Sequence, residues 1–160
     1  MYNLPNISNT IQEVITMTYN LIEGLNEILA GSYLGHDMLV EYARKIDDKK
    51  TQTCFHDLCE VLKTHQTALE MHIRFLHGKP NETLSWRMIM AKYMEKLMLL
   101  AVHEDSELIH KAIEAMEMGV TACNKFLTEQ EDLPRLTEDL IQQLRNDYSH
   151  MDKQLHTLMN

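Results

Sequence analysis

Apolar residues recur every three or four positions along most of the chain, which is the spacing of α-helices that bury one face. The clearest run lies within residues 54–76, where the stripe consists of Phe55, Leu58, Leu62, Leu69 and Leu76. Gly78 and Pro80 follow this run. A glycine readily takes the left-handed conformation at a helix end, and a proline cannot continue a helix. The pattern predicts a central helix that ends near residue 77, with Gly78 as the left-handed residue.

A second stripe begins near the N-terminus, after residues 1–6, which we expect to be loose. Its members are Ile7, Ile11, Val14, Leu21, Leu25, Ile28, Leu39, Tyr42 and Ile46. One long helix would carry this stripe. However, Gly31 and Gly35 each cost about 1 kcal/mol relative to alanine inside a helix. A kink or break near residues 31–35 is therefore an alternative, and the polar run 47–50 is the expected turn into the central helix.

The second half of the chain carries two further stripes, followed by a loop over residues 129–133 and a final helix. The first stripe, after a cap at Asn81 or Thr83, is Trp86, Ile89, Met90, Tyr93, Leu97 and Leu100. The next is Ile109, Ile113, Met116, Val120, Cys123 and Phe126. A single helix over 83–127 would be about 65 Å long, so we predict a break near residues 103–106, with Asp105 or Ser106 as a cap. Pro134 suits the first turn of the final helix, whose stripe is Leu140, Leu144, Tyr148, Met151, Leu155 and Leu158.

These elements predict an all-α fold, an antiparallel four-helix bundle with a long N-terminal helix and one split or kinked helix, formed by one domain over residues 1–160. The composition agrees, because five glycines and three prolines leave room for few turns. Twelve methionines and an aromatic content of 6% also favour aliphatic helical cores over sheets. No segment has the pattern of a strand.

Charge and cysteine usage narrow the functional classes. The formal net charge is −9 without a cluster of Lys and Arg, which disfavours nucleic acid and anionic membrane surfaces as partners. The apolar runs are too short to span a bilayer. Three cysteines and the lack of a secretory signal pattern at the N-terminus lead us to expect reduced thiols and a cytoplasmic location.

His65 and His72 interrupt the apolar stripe of the central helix, and two interpretations fit them. They are either core histidines hydrogen-bonded to side chains of neighbouring helices, or part of a metal or haem site. Seven residues separate them by about 10 Å along the axis. One ion would not bridge them easily, so a metal site would need ligands from other helices.

The sequence gives only weak indications of a di-iron site, a catalytic nucleophile or a phosphotransfer site. Glu107 and His110 form one Glu-x-x-His motif, but a di-iron bundle needs two such motifs and two further glutamates that face the core. Both residues lie off the Ile109–Ile113 stripe, and the last helix offers only Asp147 before His150. No nucleophile motif or phosphate loop is present. We therefore expect no enzymatic activity, and the less favoured alternative of a phosphotransfer module has no specific support.

Several stretches resemble bacterial ferritin-like four-helix-bundle domains of unknown function, over residues 20–158. The residues that carry the resemblance are Leu25–Leu29, Leu69–Leu76 with the following His77–Pro80, Asp105–Ile113, and Met118–Gly119. The resemblance implies a ferritin-like bundle that self-associates and has no established activity.

Our functional hypothesis is a non-enzymatic cytoplasmic bundle that acts through self-association or a protein partner, in stress or sporulation physiology, without a cofactor. The N-terminal stripe is longer than the shorter helices can cover, so residues 7–21 are the expected contact with another subunit. The alternative is a metal- or haem-binding bundle that uses His65 and His72 as ligands.

Overall fold

The computed structural model describes residues 6–81, 91–92 and 104–160. The described residues form four long helices, which we number α1 (Ile7–Lys45), α2 (Lys49–Phe75), α3 (Asp105–Glu129) and α4 (Arg135–Thr157). The predicted all-α four-helix bundle and its long first helix are confirmed. The helix predicted from residue 83, with Trp86 and Tyr93 in its stripe, lies almost wholly outside the described residues.

Helices α1 and α4 run in one direction along the bundle, and α2 and α3 run in the opposite direction. The C-terminal end of α1 lies beside the start of α3, because the Asp105 carboxylate accepts hydrogen bonds from the backbone N–H groups of Asp47 and Asp48 at 3.2 and 3.0 Å. The C-terminal end of α2 lies beside the start of α4, where a hydrogen bond joins His72 to Thr137. The end of α2 and the start of α3 therefore lie at opposite ends of the described bundle, so the connection between them is a long crossover.

The described helices pack most of their predicted apolar positions into one shared core, to which α1 contributes only from Leu21 onward. Leu25, Leu29 and Leu39 of α1 are fully buried, as are Phe55 and Leu62 of α2. Each such side chain stabilises the fold by about 1.5–3 kcal/mol relative to an exposed position. The stripes of α3 and α4 contribute Met116, Cys123, Leu144, Tyr148, Met151 and Leu155.

The alternative of a break near residues 31–35 is wrong, since α1 is one uninterrupted helix of 39 residues. A side chain at Gly35 would approach Leu62 of α2 within 3.5 Å, so this glycine sits in a helix contact. Between the two glycines, Ser32 is fully buried, and its hydroxyl donates to the carbonyl of Leu29 at 2.6 Å. Packing against the other helices outweighs the low helix propensity of the two glycines.

Helix α3 begins at Asp105, as the predicted break near residues 103–106 requires, but the capping residue differs. Glu104 occupies the cap position and makes no side-chain capping bond. The carboxylate of Asp105 instead holds the turn between α1 and α2, where Asp48 caps α2 by accepting from the Thr51 N–H at 2.8 Å. Ser106 bonds only to the Glu104 side chain, at 3.4 Å. The expected cap was wrong because Asp105 reaches across to another turn.

The end of α2 also differs from its prediction. His77, not Gly78, has the positive φ, at 63°. Its N–H donates to the carbonyl of Arg74 at 3.0 Å, and the Gly78 N–H donates to that of Ile73 at 2.8 Å. This pair of bonds is the Schellman arrangement with His77 as the left-handed residue. Gly78 is needed for a different reason, since a Cβ there would lie 2.8 Å from the side chain of Ile22.

Asn26 fixes the chain that leaves α2. This side chain is 7% exposed, its amide donates to the carbonyl of Lys79 at 3.1 Å, and its carbonyl accepts from the Asn81 N–H at 2.7 Å. A buried amide that makes two backbone hydrogen bonds holds the start of the crossover against α1.

Substitutions at the two adjacent residues should separate backbone strain from packing. His77→Gly should raise the free energy of unfolding by about 0.5–1 kcal/mol, because glycine adopts a positive φ without steric cost. Gly78→Ala should lower it by about 1–3 kcal/mol, because the added methyl collides with Ile22. Chemical denaturation at one fixed protein concentration measures both. A decrease in stability with His77→Gly would contradict a positive φ at His77, and an unchanged or higher stability with Gly78→Ala would contradict the close contact with Ile22.

Candidate functional site

His65 lies deep between α2 and α4. Only 2% of its surface is exposed, and its Nε2 lies 2.9 Å from Oδ2 of Asp147. A carboxylate can only accept, so Nε2 carries the hydrogen and Nδ1 carries a lone pair. Nδ1 is buried with no hydrogen-bond partner among the described residues. The ring also packs edge-on against Tyr148, with centroids 5.2 Å apart.

His72 lies two turns further along α2 and makes a separate contact. Its Nε2 is 2.7 Å from the hydroxyl of Thr137, a fully buried residue of α4. The ring stacks on Phe75, with centroids 6.0 Å apart. Both histidines therefore hydrogen-bond to side chains of α4, as the first of the two sequence interpretations states. They do not share a ligand position.

Burial lowers the pKa of both imidazoles. For His65 the cause is loss of solvent, which the hydrogen bond and negative charge of Asp147 oppose only in part. For His72 the cause is loss of solvent alone. Both rings are thus held in the neutral form around pH 7, and the protonated form of His65 would leave a buried Nδ1–H without an acceptor.

The donor set of a di-iron bundle does not assemble in the described part of the chain. No group of three or more His, Cys, Asp or Glu side chains lies close enough there to hold a metal ion. Glu107 and His110 are exposed on the outer side of α3. Asp147 and Glu70 are engaged with other residues, the first with His65 and the second with the Tyr33 hydroxyl. These residues do not fit the inward-facing carboxylate set of that class.

The cysteines do not form a reactive pair. All three are free thiols, with Cys59 and Cys123 buried and Cys54 half-buried. Burial raises the pKa of Cys59 to about 11 and that of Cys123 to about 12. Thiols with such pKa values are protonated at neutral pH and are weak nucleophiles.

The N-terminal part of α1 is the largest departure from a closed bundle. We call residues 7–20 the N-terminal arm. It continues the buried stripe of α1 beyond Leu21, yet its apolar side chains are exposed: Ile7 by 74%, Ile11 by 54% and Val14 by 56%. The same helix face is therefore core on one side of Leu21 and open surface on the other. Exposed apolar patches in proteins occur at protein or membrane contacts and at ligand-binding grooves.

The sequence identified His65, His72 and the arm but missed the α4 partners of the histidines. Asp147 precedes the buried Tyr148 and sits at the edge of the α4 stripe, so periodicity places it between core and surface. Thr137 is fully buried and lies one turn before Ile141. A small polar residue at that position of the α4 stripe could have indicated a buried hydrogen-bond partner. No described helix is long and apolar enough to cross a membrane.

Solved structures with this architecture come from several bacteria. The DPS protein from Vibrio cholerae O1 matches with a TM-score of 0.72 and 14% identity, covering 91% of this chain and 92% of that one. The bacterioferritin-related protein from Bacteroides fragilis, described as a dodecameric thioferritin, gives 0.71 and 14%, with 89% and 85% covered. A protein from Anabaena variabilis with DJ-1/ThiJ/PfpI-like and ferritin-like domains gives 0.69 and 18%.

The last match covers 88% of this chain and 36% of the other, so this chain spans about a third of that two-domain protein. No protein-family model matches the sequence, and no curated protein is significantly similar to it. The matches define the class by fold. The chain has the ferritin-like four-helix-bundle fold, as the sequence resemblance implied.

The lowered pKa values predict how stability depends on pH. Because the folded state holds both histidines below their unfolded pKa of about 6.5, the unfolded chain binds more protons as pH falls through that value. The stabilising effect of the neutral rings is complete above pH 6.5 and is lost as pH falls toward the folded-state pKa values. The free energy of unfolding should therefore decrease from pH 7 to pH 5.

Replacing both residues (His65→Gln with His72→Gln) should make that decrease shallower, whatever its effect on stability at pH 7. His110→Gln is the matched control, since His110 is exposed, and it should leave the slope unchanged. Denaturation curves at several pH values provide the measurement. Equal slopes in the wild-type chain and the double variant would contradict the assignment.

Proposed function

We propose that this chain is a non-enzymatic ferritin-like bundle that acts by self-association, with the N-terminal arm as the contact between copies. The observation that carries the proposal is the continuation of the core stripe of α1 into an uncovered surface. Burying one Ile or Val of the stripe against a second copy stabilises the assembly by about 1.5–3 kcal/mol.

Charge supports contact at this place. The chain has a formal net charge of −9, so two copies repel each other at most orientations. The arm contains a single ionisable carboxylate, Glu13, and no Lys, Arg or Asp. Two copies that meet through their arms or dock one arm on a neighbour therefore bring few charges together.

The fold comparison supports the same conclusion. The Bacteroides fragilis protein is described as dodecameric, and the bundle it shares with this chain is one from which closed assemblies are built. Self-association is accordingly the partner class we propose, with a protein of another kind as the alternative. We also propose a cytoplasmic location, which the three free thiols support.

Removing residues 1–18, or replacing Ile11 and Val14 by serine, should convert the assembly to monomers. The core begins at Leu21, so the bundle should stay folded in both variants. Replacing Gln12 and Thr16 by serine on the opposite face of the arm is the matched control and should leave the assembly intact. Light scattering coupled to size exclusion gives the molar mass, and circular dichroism reports the fold.

An unchanged molar mass in the truncated and Ile11/Val14 variants would remove the arm from the interface. A wild-type chain that is monomeric at the highest concentration measured would overturn self-association itself. Both results are readable without knowing the physiological partner.

Elemental analysis of protein purified without chelator tests our expectation that the chain binds no metal cofactor. We expect no iron or other transition metal in stoichiometric amount, because the described His, Cys, Asp and Glu side chains do not converge. One or two metal ions per chain, lost in the variant with both His65→Ala and His72→Ala, would instead support the alternative of a metal-binding bundle.

A further inference from the structure

A groove follows the outside of the bundle between α1 and α3. Its main part has a volume of about 390 Å³ and is lined chiefly by apolar side chains, among them Ile28, Leu34 and Met38 of α1. On the α3 side it is lined by Met116 and by the small residues Ala115 and Gly119. Among the lining glycines, Gly31 has open space beside it, whereas Gly119 lies against the ring of Tyr148 and Gly35 against Leu62.

The groove continues toward the N-terminal end of the bundle. A second hollow of about 460 Å³ lies beside Gly24 and Phe126 and is lined mainly by polar side chains, among them Glu23, Lys125 and Glu129. A third of about 380 Å³ lies where the base of the arm, at Met17 and Leu21, meets the α3–α4 loop at Leu133. The three hollows form one track along α1, which we call the α1–α3 groove. It ends where the arm leaves the bundle.

We infer that the α1–α3 groove is the receptor for the N-terminal arm of a second copy of this chain. This inference rests on the proposed function and adds the surface on which the arm docks. The arm of the same chain borders only the last hollow and cannot fold back onto the main part of the groove, because α1 is one uninterrupted helix that carries residues 7–20 away from residues 28–38. The arm that occupies the main, apolar part of the groove is therefore that of a second copy.

The dimensions agree with a reciprocal exchange. The 14-residue arm is about 21 Å long and about 10 Å wide, so seating half of its surface covers about 330 Å² of helix and a similar area of groove. Two exchanged arms would bury about 1,300 Å² in total, which falls within the range of specific interfaces, whereas a single arm falls short of it. A pair of chains, each arm in the other's groove, is the arrangement that this area favours.

Gly31 offers a way to block the groove without disturbing the bundle. A Cβ built at this residue meets no atom within 4 Å, although the residue lines the groove. Gly31→Trp should therefore be accepted by the isolated bundle while its indole fills the site of the docked arm. We expect the dissociation constant of self-association to rise by about 30-fold or more, the scale of a lost central contact.

Two control variants accompany this substitution. Gly31→Ala adds a methyl group that has room, so it should retain assembly. Thr64→Trp places the same bulk on an exposed position of α2 and should also retain it. If Gly31→Trp assembles like the wild type while the Ile11/Val14 variant is monomeric, the groove inference is wrong and the proposed self-association through the arm stands.

A mixing experiment separates arm–groove docking from pairing of two arms. The chain lacking residues 1–18 keeps an open groove but has no arm, and the Gly31→Trp chain keeps its arm but has a blocked groove. Each alone should be monomeric, and a 1:1 mixture should form a heterodimer in native mass spectrometry at higher concentration than the wild type needs. A mixture that stays monomeric, or a dimer confined to the Gly31→Trp chain, would overturn the inference.

Discussion

The length of α1 relative to its partners is the constraint on which this structure depends. Its 39 residues span about 58 Å, against about 34–40 Å for the other described helices. A bundle of these four helices can cover only the part of α1 from Leu21 onward. The remaining stripe has the same spacing and the same kind of side chains as the core. This pattern is typical of a helix face that is buried. Only contacts outside the four-helix unit can bury it.

The described interior of the bundle differs from that of metal-binding bundles with this fold. In metal-binding bundles of this fold, carboxylates and histidines from facing helices point at a common centre. Here the two inward histidines of α2 each find one α4 side chain, Asp147 or Thr137, and the two contacts lie two turns apart. Such hydrogen bonds satisfy buried polar atoms and fix the register of α4 against α2. They serve packing, and their lowered pKa values keep the rings neutral.

Sequence periodicity predicted the helices, the buried stripes and the inward direction of His65, because these depend on local spacing alone. Residues whose behaviour depends on another helix were predicted less well. Gly78 was expected to supply the positive φ, but Ile22 of α1 requires a glycine there, and His77 takes the strained conformation instead. Gly31 and Gly35 do not break α1, because tertiary packing offsets their propensity. The α1–α3 groove depends on the separation of two helices, for which one sequence carries no signal.

The arm and one wall of the α1–α3 groove belong to the same helix, α1. On α1 the apolar stripe of the arm and the groove-lining Gly31 lie roughly a third of a turn apart, at 100° per residue. In a pair of chains, each α1 can therefore place its arm in the groove of the other chain and receive the other arm in its own groove. Two-fold symmetry then doubles the buried area with no further sequence requirement. In this arrangement Gly31 is the residue of α1 that leaves space for a docked helix, whereas Gly35 lies against Leu62 of α2.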